Sequence, residues 1–236
     1  MYMNILTVIP ARGGSKGIPK KNLTKVCDKT LIAHAFDCVS KSTYAMDIVV
    51  STDSIEILNH AKSIGYEGEY LRPKELAQDN SRTVDAVLDV IAWAIENNSK
   101  TYDVVIVLQP TSPFRLAGDL DAALDIFFAA SDATSLVSVN SMHEHPVECV
   151  EVTSDGWRYL VEPEASFNGR QSYGKNYFFI NGAIYICDYK YLVQTNSLID
   201  RGKSILFEMP KLRSIDIDTY EDITIANCLC NKIRPV

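Results

Sequence analysis

The stretch that decides the fold is ILTVIPARGGSKGIPKKN, residues 5–22. Its first six residues are apolar and rich in β-branched side chains, which is typical of a strand buried on both faces. The rest is a turn with three glycines and four cations. Glycine lets the backbone approach a ligand closely, and successive N–H groups in such a turn can form an anion-binding nest. The pattern predicts a phosphate site at the end of the strand, and a solvated basic loop is the alternative.

The remaining sequence alternates between short apolar runs and amphipathic segments. Strands are predicted at 47–53, 102–113 and 134–140, with a short one in GEYLRP (68–73); helices are predicted at 31–39, 54–65, 83–98, 119–130 and from about 219. This rhythm predicts an α/β fold, with a mainly parallel sheet and helices on both faces. Ligands in such folds bind at the carboxyl ends of the strands. Residues 1–236 are interpreted as one domain, in which the polar and aromatic segment 141–178 is a hairpin insertion or a dimerisation arm.

Composition and charge exclude several functional classes. Hydrophobic residues make up 47% and charged residues 22%, which is ordinary for a globular protein and excludes collagen-like, disordered and coiled-coil chains. No apolar run approaches the roughly 20 residues that span a bilayer, and no signal peptide is expected. The net charge of −7 argues against nucleic-acid binding. Residues 1–27 nevertheless carry +5 and the remainder −12, which favours a local anion site.

Six cysteines stand at positions 27, 38, 149, 187, 228 and 230. They form no C-x-x-C pair and no zinc-type cluster. Most lie in apolar stretches, so we expect buried, reduced thiols and a cytoplasmic location.

A second chemical signal is RSIDIDT, residues 213–219. If this segment is a strand, Asp216 and Asp218 share one face while the two isoleucines take the other. Mg²⁺ (or Mn²⁺) prefers one or two carboxylates together with phosphate oxygens and water. The pair therefore predicts a metal–triphosphate site opposite the glycine-rich turn, and a polar edge strand is the alternative. Asp222 is a poorer ligand candidate, because Thr219-x-x-Asp222 resembles a helix capping box.

The turn at 9–22 resembles the signature of the acylneuraminate cytidylyltransferases, also called CMP-sialic acid synthetases. Further segments resemble that family in the same order: STD at 51–53, LRPKELAQD at 71–79, LQPTSPFR at 108–115, HEHP at 143–146, NGAIYI at 181–186 and SIDIDT at 214–219. The resemblance implies a Rossmann-like nucleotidyltransferase fold, a homodimer and a divalent cation. It implies that CMP is transferred from CTP to the anomeric hydroxyl of a nine-carbon α-keto acid sugar, and that pyrophosphate is released.

The residue chemistry and the resemblance together give a predicted site. Catalytic roles are expected for Arg12, Lys21 and Asp216. The expected nucleotide-binding residues are Ala11, Arg12, Gly13, Gly14, Ser15, Lys21, Asn22, Arg72, Ser81 and Thr83. The acceptor sugar is expected to contact Gln109, Thr111, Arg170 and Tyr185, and the metal Asp216 and Asp218.

Several alternatives stay open. Thr111 lies among turn-forming residues, and Thr83 is either part of a loop over the base or the N-cap of the next helix. His143 and His145 are interpreted as parts of a structural loop. The family often has an arginine just before the N-G of NGAIYI, where this chain has Phe179 and Ile180. A related acid such as legionaminate is therefore an option, as are a different sugar or nucleotide and a non-catalytic sugar-nucleotide sensor.

Overall fold

A six-stranded sheet forms the centre of the molecule, and the computed structural model describes residues 3–142, 144–162 and 176–233. Its strands are β1 (Ile5–Pro10), β4 (Asp47–Ser51), β5 (Val104–Val107), β6 (Ser135–Ser141), β9 (Phe178–Asp188) and β10 (Ser204–Glu208). Their order is β10-β6-β9-β5-β1-β4. Strand β9 runs antiparallel to both of its neighbours, whereas the other pairs are parallel. The prediction of a mainly parallel sheet is confirmed.

Helices cover both faces of this sheet, as predicted. They are α1 (Leu31–Ser40), α2 (Ile55–Ser63), α3 (Thr83–Asn98), α4 (Ala117–Ala129), α5 (Tyr189–Thr195) and α6 (Tyr220–Ile233). Strand β1 shows why two layers form. Ile5 and Ile9 pack in an apolar cluster with α1, α2 and α4, while Leu6 and Val8 pack with α3 and α5 on the other face.

Parallel pairing brings the carboxyl ends of β1, β4 and β5 to one edge. Pro10 lies beside Ser51 in the register, and the amide of Ala11 donates to the Ser51 carbonyl over 2.8 Å. The loops that follow these strands are therefore neighbours. Below them, a third apolar cluster that includes Ile18 and Ile217 joins α6 to a small hairpin formed by β2 (Lys25–Val26) and β3 (Lys29–Thr30).

Two predicted strands are wrong. GEYLRP and residues 214–218 have no strand pairing. In each segment single backbone bonds replace a ladder: the Arg72 amide donates to the Thr52 carbonyl, and the Ile217 amide donates to the Thr111 carbonyl. The alternation of residues 215–218 survives, because Ile217 is fully buried while Asp216 and Asp218 line a cleft.

The expectation that all the cysteines are reduced is also wrong. Cys27 and Cys230 form a disulfide with their Cα atoms 5.5 Å apart. Cys38 and Cys187 are buried thiols, as predicted, and Cys228 is exposed. The paired residues are 203 positions apart, so their spacing carries no signal, and only the docking of α6 beside β2 brings them together.

A second hairpin, β7 (Val150–Thr153) and β8 (Gly156–Tyr159), stands apart from the central sheet within the predicted insertion. Every residue in its two strands is exposed. In the part of the chain that the structure describes, no helix is long and apolar enough to cross a membrane.

Candidate active site

A cleft of about 430 Å³ opens at the carboxyl edge of the sheet. Its walls come from the loop after β1, the segment before α3, the turn after β5 and the segment before α6. It therefore gathers parts of the chain that are distant in sequence. The predicted site residues that line it are Arg12, Gly14, Ser15, Lys21, Asn22, Arg72, Ser81, Thr83, Gln109, Thr111, Asp216 and Asp218.

Close packing shapes the glycine-rich loop. The Gly13 amide donates to Asp53 Oδ1 over 2.8 Å, which ties the loop to the end of β4. A Cβ at Gly17 would lie 2.8 Å from the Asp218 carbonyl oxygen, so only glycine allows the loop to approach the acidic segment. A Cβ at Gly14 would meet nothing within 4 Å. The backbone at Gly14 thus has space beside it for a ligand.

The cations of this loop contact an acidic residue of the next wall. Arg12 Nη1 lies 3.0 Å from Asp79 Oδ1, and Lys16 Nζ lies 3.2 Å from Asp79 Oδ2. Hydrogen bonds from Lys16 and then from Arg12 lower the pKa of Asp79. The side chain of Asp79 is half exposed. A carboxylate therefore occupies the position opposite Arg12 that an anionic ligand would take.

The opposite wall carries the two predicted metal ligands. Lys21 Nζ lies 2.9 Å from Asp218 Oδ1, so the basic and acidic walls already touch. Burial raises the pKa of Asp216, and the charge of Asp218 adds to that effect, whereas a hydrogen bond from Thr111 opposes it. Among the described residues Asp216 Oδ1 is buried without a hydrogen-bond partner. A buried carboxylate oxygen of this kind favours a cation as its missing partner.

The predicted capping box is confirmed. The Thr219 amide donates to Asp222 Oδ2 over 2.7 Å, and the Asp222 amide donates to the Thr219 hydroxyl over 3.2 Å. The Asp218 amide also donates to Asp222 Oδ2. Asp222 therefore fixes the acidic segment through its backbone.

Buried hydrogen bonds hold two further side chains in the cleft. Arg72 donates from Nε and Nη2 to the hydroxyl and carbonyl of Ser51, and its Nη1 group is not used in these two bonds. Asn22 Nδ2 donates to the Arg12 carbonyl over 2.9 Å. Asn22 thus fixes the backbone of the glycine-rich loop at Arg12.

The loop before α3 brings Ser81 and Thr83 to the cleft. The Ser81 hydroxyl donates to the Glu75 carbonyl and accepts from the Gln78 amide, so it closes the short turn that carries Asp79. The alternative role of Thr83 as an N-cap is wrong. Arg82 holds the N-cap position, and Thr83 is the first residue of the helix.

Some predicted residues lie elsewhere. Ala11 is fully buried, and its amide donates to the Ser51 carbonyl. Tyr185 lines an adjoining cavity of about 580 Å³, which Gln109 also lines. Arg170 and His143 lie outside the described residues. His145 has the structural role predicted for it, since its ring accepts a hydrogen bond from the Val147 amide at the start of a short 3-10 turn.

Sequence reasoning missed residues that act on the site through others. Asp53 and Asp79 lie within quoted motifs, but their spacing gave no sign that they bind the glycine-rich loop. Arg115 is 3% exposed and donates from Nη1 to the carbonyls of Gln109 and Ala183. It thereby fixes the turn that presents Gln109.

Comparison with known proteins agrees with this geometry. Residues 6–155 match the cytidylyltransferase family model. The chain is 36% identical to the CMP-N,N'-diacetyllegionaminic acid synthase of Legionella pneumophila over 93% of each chain. It is 29% identical to the N-acylneuraminate cytidylyltransferase of Escherichia coli O18:K1:H7, covering 96% of this chain and 52% of that protein.

Among solved structures, the fold is similar to that of a CMP:2-keto-3-deoxy-manno-octonic acid synthetase in complex with CTP. The TM-score is 0.71 at 17% identity, over 97% of this chain and 99% of the other. This structural similarity shows a shared fold. The family model and the more similar sequence relatives show which family the chain belongs to. The chain belongs to the cytidylyltransferases.

Proposed function

We propose that this protein transfers CMP from CTP to the anomeric hydroxyl of a nine-carbon α-keto acid sugar. The observation that carries the proposal is the contact of Lys21 with Asp218 across the cleft. This contact supports the binding of one metal–nucleotide unit between the cationic glycine-rich loop and the carboxylate pair. The family and the 36% identical relative support the same activity.

The cleft offers complementary groups along the whole length of CTP. Arg12 and Lys21 supply charge for the triphosphate, and the backbone near Gly14 has room for close approach. Arg72 holds its guanidinium in a fixed plane on Ser51, and its Nη1 suits the cytosine carbonyl. Ser81 and Thr83 belong to the wall above the base.

The residues fit a divalent cation. Asp216 has a buried oxygen without a described partner, and Asp218 adds a second carboxylate. Two carboxylates suit Mg²⁺, since this ion takes phosphate oxygens and water as its other ligands. When bound there, the ion would neutralise charge on the α-phosphate and the leaving group.

The adjoining cavity supports a place for the acceptor sugar. It shares Gln109, Arg82 and Thr83 with the cleft, so the two are continuous. Tyr185 and Arg201 also line it, whereas Ile180, Leu198 and Ile199 make part of the wall apolar. Ile180 directly precedes the N-G of NGAIYI, where the resemblance described above implies an arginine. An apolar wall favours a deoxy, N-acylated acid of the legionaminate type over N-acetylneuraminate.

In the reaction, the anomeric hydroxyl loses its proton to solvent and its oxygen attacks the α-phosphorus. The bond from the α-phosphorus to the bridging oxygen breaks, and pyrophosphate leaves with that electron pair. Transfers of this kind depend mainly on alignment and charge neutralisation. Gln109 is held by Arg115 and positions the acceptor. Lys21 and Arg12 exchange their carboxylate partners for phosphate oxygens, which stabilises the charge that develops on pyrophosphate.

We also infer a homodimer built through the β7–β8 hairpin, whose side chains Val152 and Trp157 are 82% and 62% exposed. Apolar exposure on this scale is typical of an interaction surface. Use of CTP favours a cytoplasmic location.

Pyrophosphate release tests the function. The purified protein is assayed in Mg²⁺ with CTP, UTP, ATP or GTP, against legionaminate, pseudaminate and N-acetylneuraminate. We expect turnover with CTP and the highest kcat/KM with legionaminate.

Two lysine variants test the phosphate-binding role of the loop. Lys21→Ala should lower kcat/KM about 10²-fold or more. Lys20→Ala changes the neighbouring residue, which pairs with Glu56, and should retain activity. Equal turnover of UTP would refute the nucleotide assignment, and release with no acid sugar would refute the acceptor class.

A further inference from the structure

The Cys27–Cys230 disulfide joins the two elements that carry the walls of the cleft. Cys27 lies in the turn between β2 and β3, shortly after the glycine-rich loop. Cys230 lies in α6, the helix that begins just after Asp218. The bond therefore links the basic wall to the acidic wall from below.

Packing around the disulfide transmits any movement to the site. The Cys27 amide donates to Asn227 Oδ1 on α6 over 3.0 Å. Ile18 from the loop and Ile217 from the acidic segment are both fully buried in the same apolar cluster as Cys27. Close-packed clusters transmit strain instead of absorbing it. Asp222 at the start of α6 accepts a hydrogen bond from the Asp218 amide, so a shift of α6 displaces the acidic segment.

The disulfide is also accessible. Both cysteines line a cavity of about 510 Å³ that does not belong to the active-site cleft. Lys29, His34 and Lys41 line it as well, with Asp37 paired to both lysines. Arg115 is a third cation in the lining, so three cations face one carboxylate. A net positive charge favours the thiolate that leaves during thiol–disulfide exchange. Burial raises the pKa of the nearby Cys38 thiol, which keeps Cys38 protonated and out of the exchange.

We propose that Cys27 and Cys230 form a thiol–disulfide exchange site whose oxidised form holds the cleft in its nucleotide-binding arrangement. In the reducing direction, a small dithiol attacks one protein sulfur, and its second thiol then closes the reductant's own disulfide. Two electrons and two hydrogens pass to the protein, which gains two thiols. In the oxidising direction, glutathione disulfide accepts them and becomes two glutathione molecules. The expected effect on CTP affinity rests on the proposed function.

The test compares the full-length protein equilibrated with glutathione disulfide and with dithiothreitol. Thiols are titrated in denaturant, the melting temperature is measured, and CTP affinity is measured calorimetrically in Mg²⁺. We expect four thiols in the oxidised form and six in the reduced form. Reduction should lower the melting temperature by at least about 5 °C and weaken CTP binding at least about threefold. Cys230→Ser should behave as the reduced protein in both states. Cys228→Ser, in an exposed thiol on the same helix, should respond as the wild type does.

Six thiols after oxidation would overturn the exchange site. Four thiols with equal CTP affinity in both states would overturn its coupling to the cleft. If CTP binds in neither state, the proposed function is wrong and the coupling falls with it. The thiol count and the melting temperature then still decide whether the cysteine pair exchanges.

Discussion

At the scale of single residues, the cleft holds its charges in pairs that the proposed nucleotide would have to break. Arg12 contacts Asp79, and Lys21 contacts Asp218. The side chains of Asp79 and Asp218 are 51% and 69% exposed, and ion pairs that are open to solvent contribute little stability. In the proposed function, phosphate oxygens would therefore replace these carboxylates at small cost.

Asp79→Asn should strengthen CTP binding. The change removes one negative charge beside a triphosphate and releases Arg12 and Lys16. We expect KM for CTP to fall about two- to fivefold, the range of exposed charge pairs, with the gain shrinking at high salt. Steady-state kinetics at two salt concentrations measure it. Asp155→Asn, in the exposed β7–β8 turn, is the control. A higher KM at both salt concentrations would mean that Asp79 helps to hold the nucleotide.

Asp216→Asn should separate function from stability. Since the metal site loses a carboxylate, kcat/KM should fall about 10²-fold or more. Burial raises the pKa of Asp216, so the folded state is penalised whenever this group is ionised. The cost is present above the raised pKa and disappears as pH falls below the ordinary value. The variant should therefore melt higher than the wild type at pH 7.5, by about 2 °C.

That thermal gain should shrink as pH falls and vanish about one unit below the ordinary Asp value of 3.8, where Asp216 is protonated in both the folded and the unfolded state. Melting curves from about pH 3 to pH 8 measure it. Asp155→Asn, in the exposed β7–β8 turn, is the control. Asp121→Asn is unsuitable, because Asp121 accepts hydrogen bonds from Ser42 and Thr43. A variant that melts lower at neutral pH would show that the carboxylate stabilises the fold.

At the scale of elements, α6 matters because its first turn adjoins the acidic segment. Thr219→Ala removes the hydroxyl that caps the Asp222 amide. The expected cost is about 1 kcal/mol of unfolding free energy, measured by urea denaturation. Thr224→Ala is the matched control, because that hydroxyl bonds a carbonyl within the same helix and caps nothing. Equal losses in the two variants would contradict the capping role.

Local sequence patterns correctly predicted the elements whose own residues determine their conformation. The period of apolar residues gave α3 its observed bounds, Thr83–Asn98, and the β-branched run gave β1. Residues 214–218 follow the same alternation as a strand, but their partner is a single carbonyl of the turn after β5. Alternation reports which side chains are buried and not whether a neighbouring strand exists.

The candidate site was predictable where chemistry and spacing coincide, as in the glycine-rich turn and at Asp216 and Asp218. Asp79, Arg115 and the Cys27–Cys230 pair depend on tertiary contacts between distant segments. Their residue types suit many surface or core positions, so no local pattern distinguishes them.

At the scale of the whole molecule, the β7–β8 hairpin forms a separate two-stranded sheet that does not pair with the described strands of the central sheet. Val150 and Val152 stand opposite Tyr159 and Trp157, so one face of the hairpin is apolar. Glu151 pairs with Arg158 on the other face. A two-stranded hairpin is marginally stable alone, which favours a second copy of the chain as the cover for the apolar face.

Val152→Asp should therefore dissociate the proposed dimer without unfolding the central domain. A charge on an exposed apolar face costs little in the monomer but is unpaired and desolvated at an interface. We expect the dissociation constant to rise about 100-fold or more, measured by sedimentation at micromolar concentrations, with an unchanged melting temperature for the monomer. Glu151→Gln, on the opposite face, should leave the dimer intact. A wild-type chain that sediments as a monomer at every concentration would refute the dimer, and an unaffected Val152→Asp dimer would place the interface elsewhere.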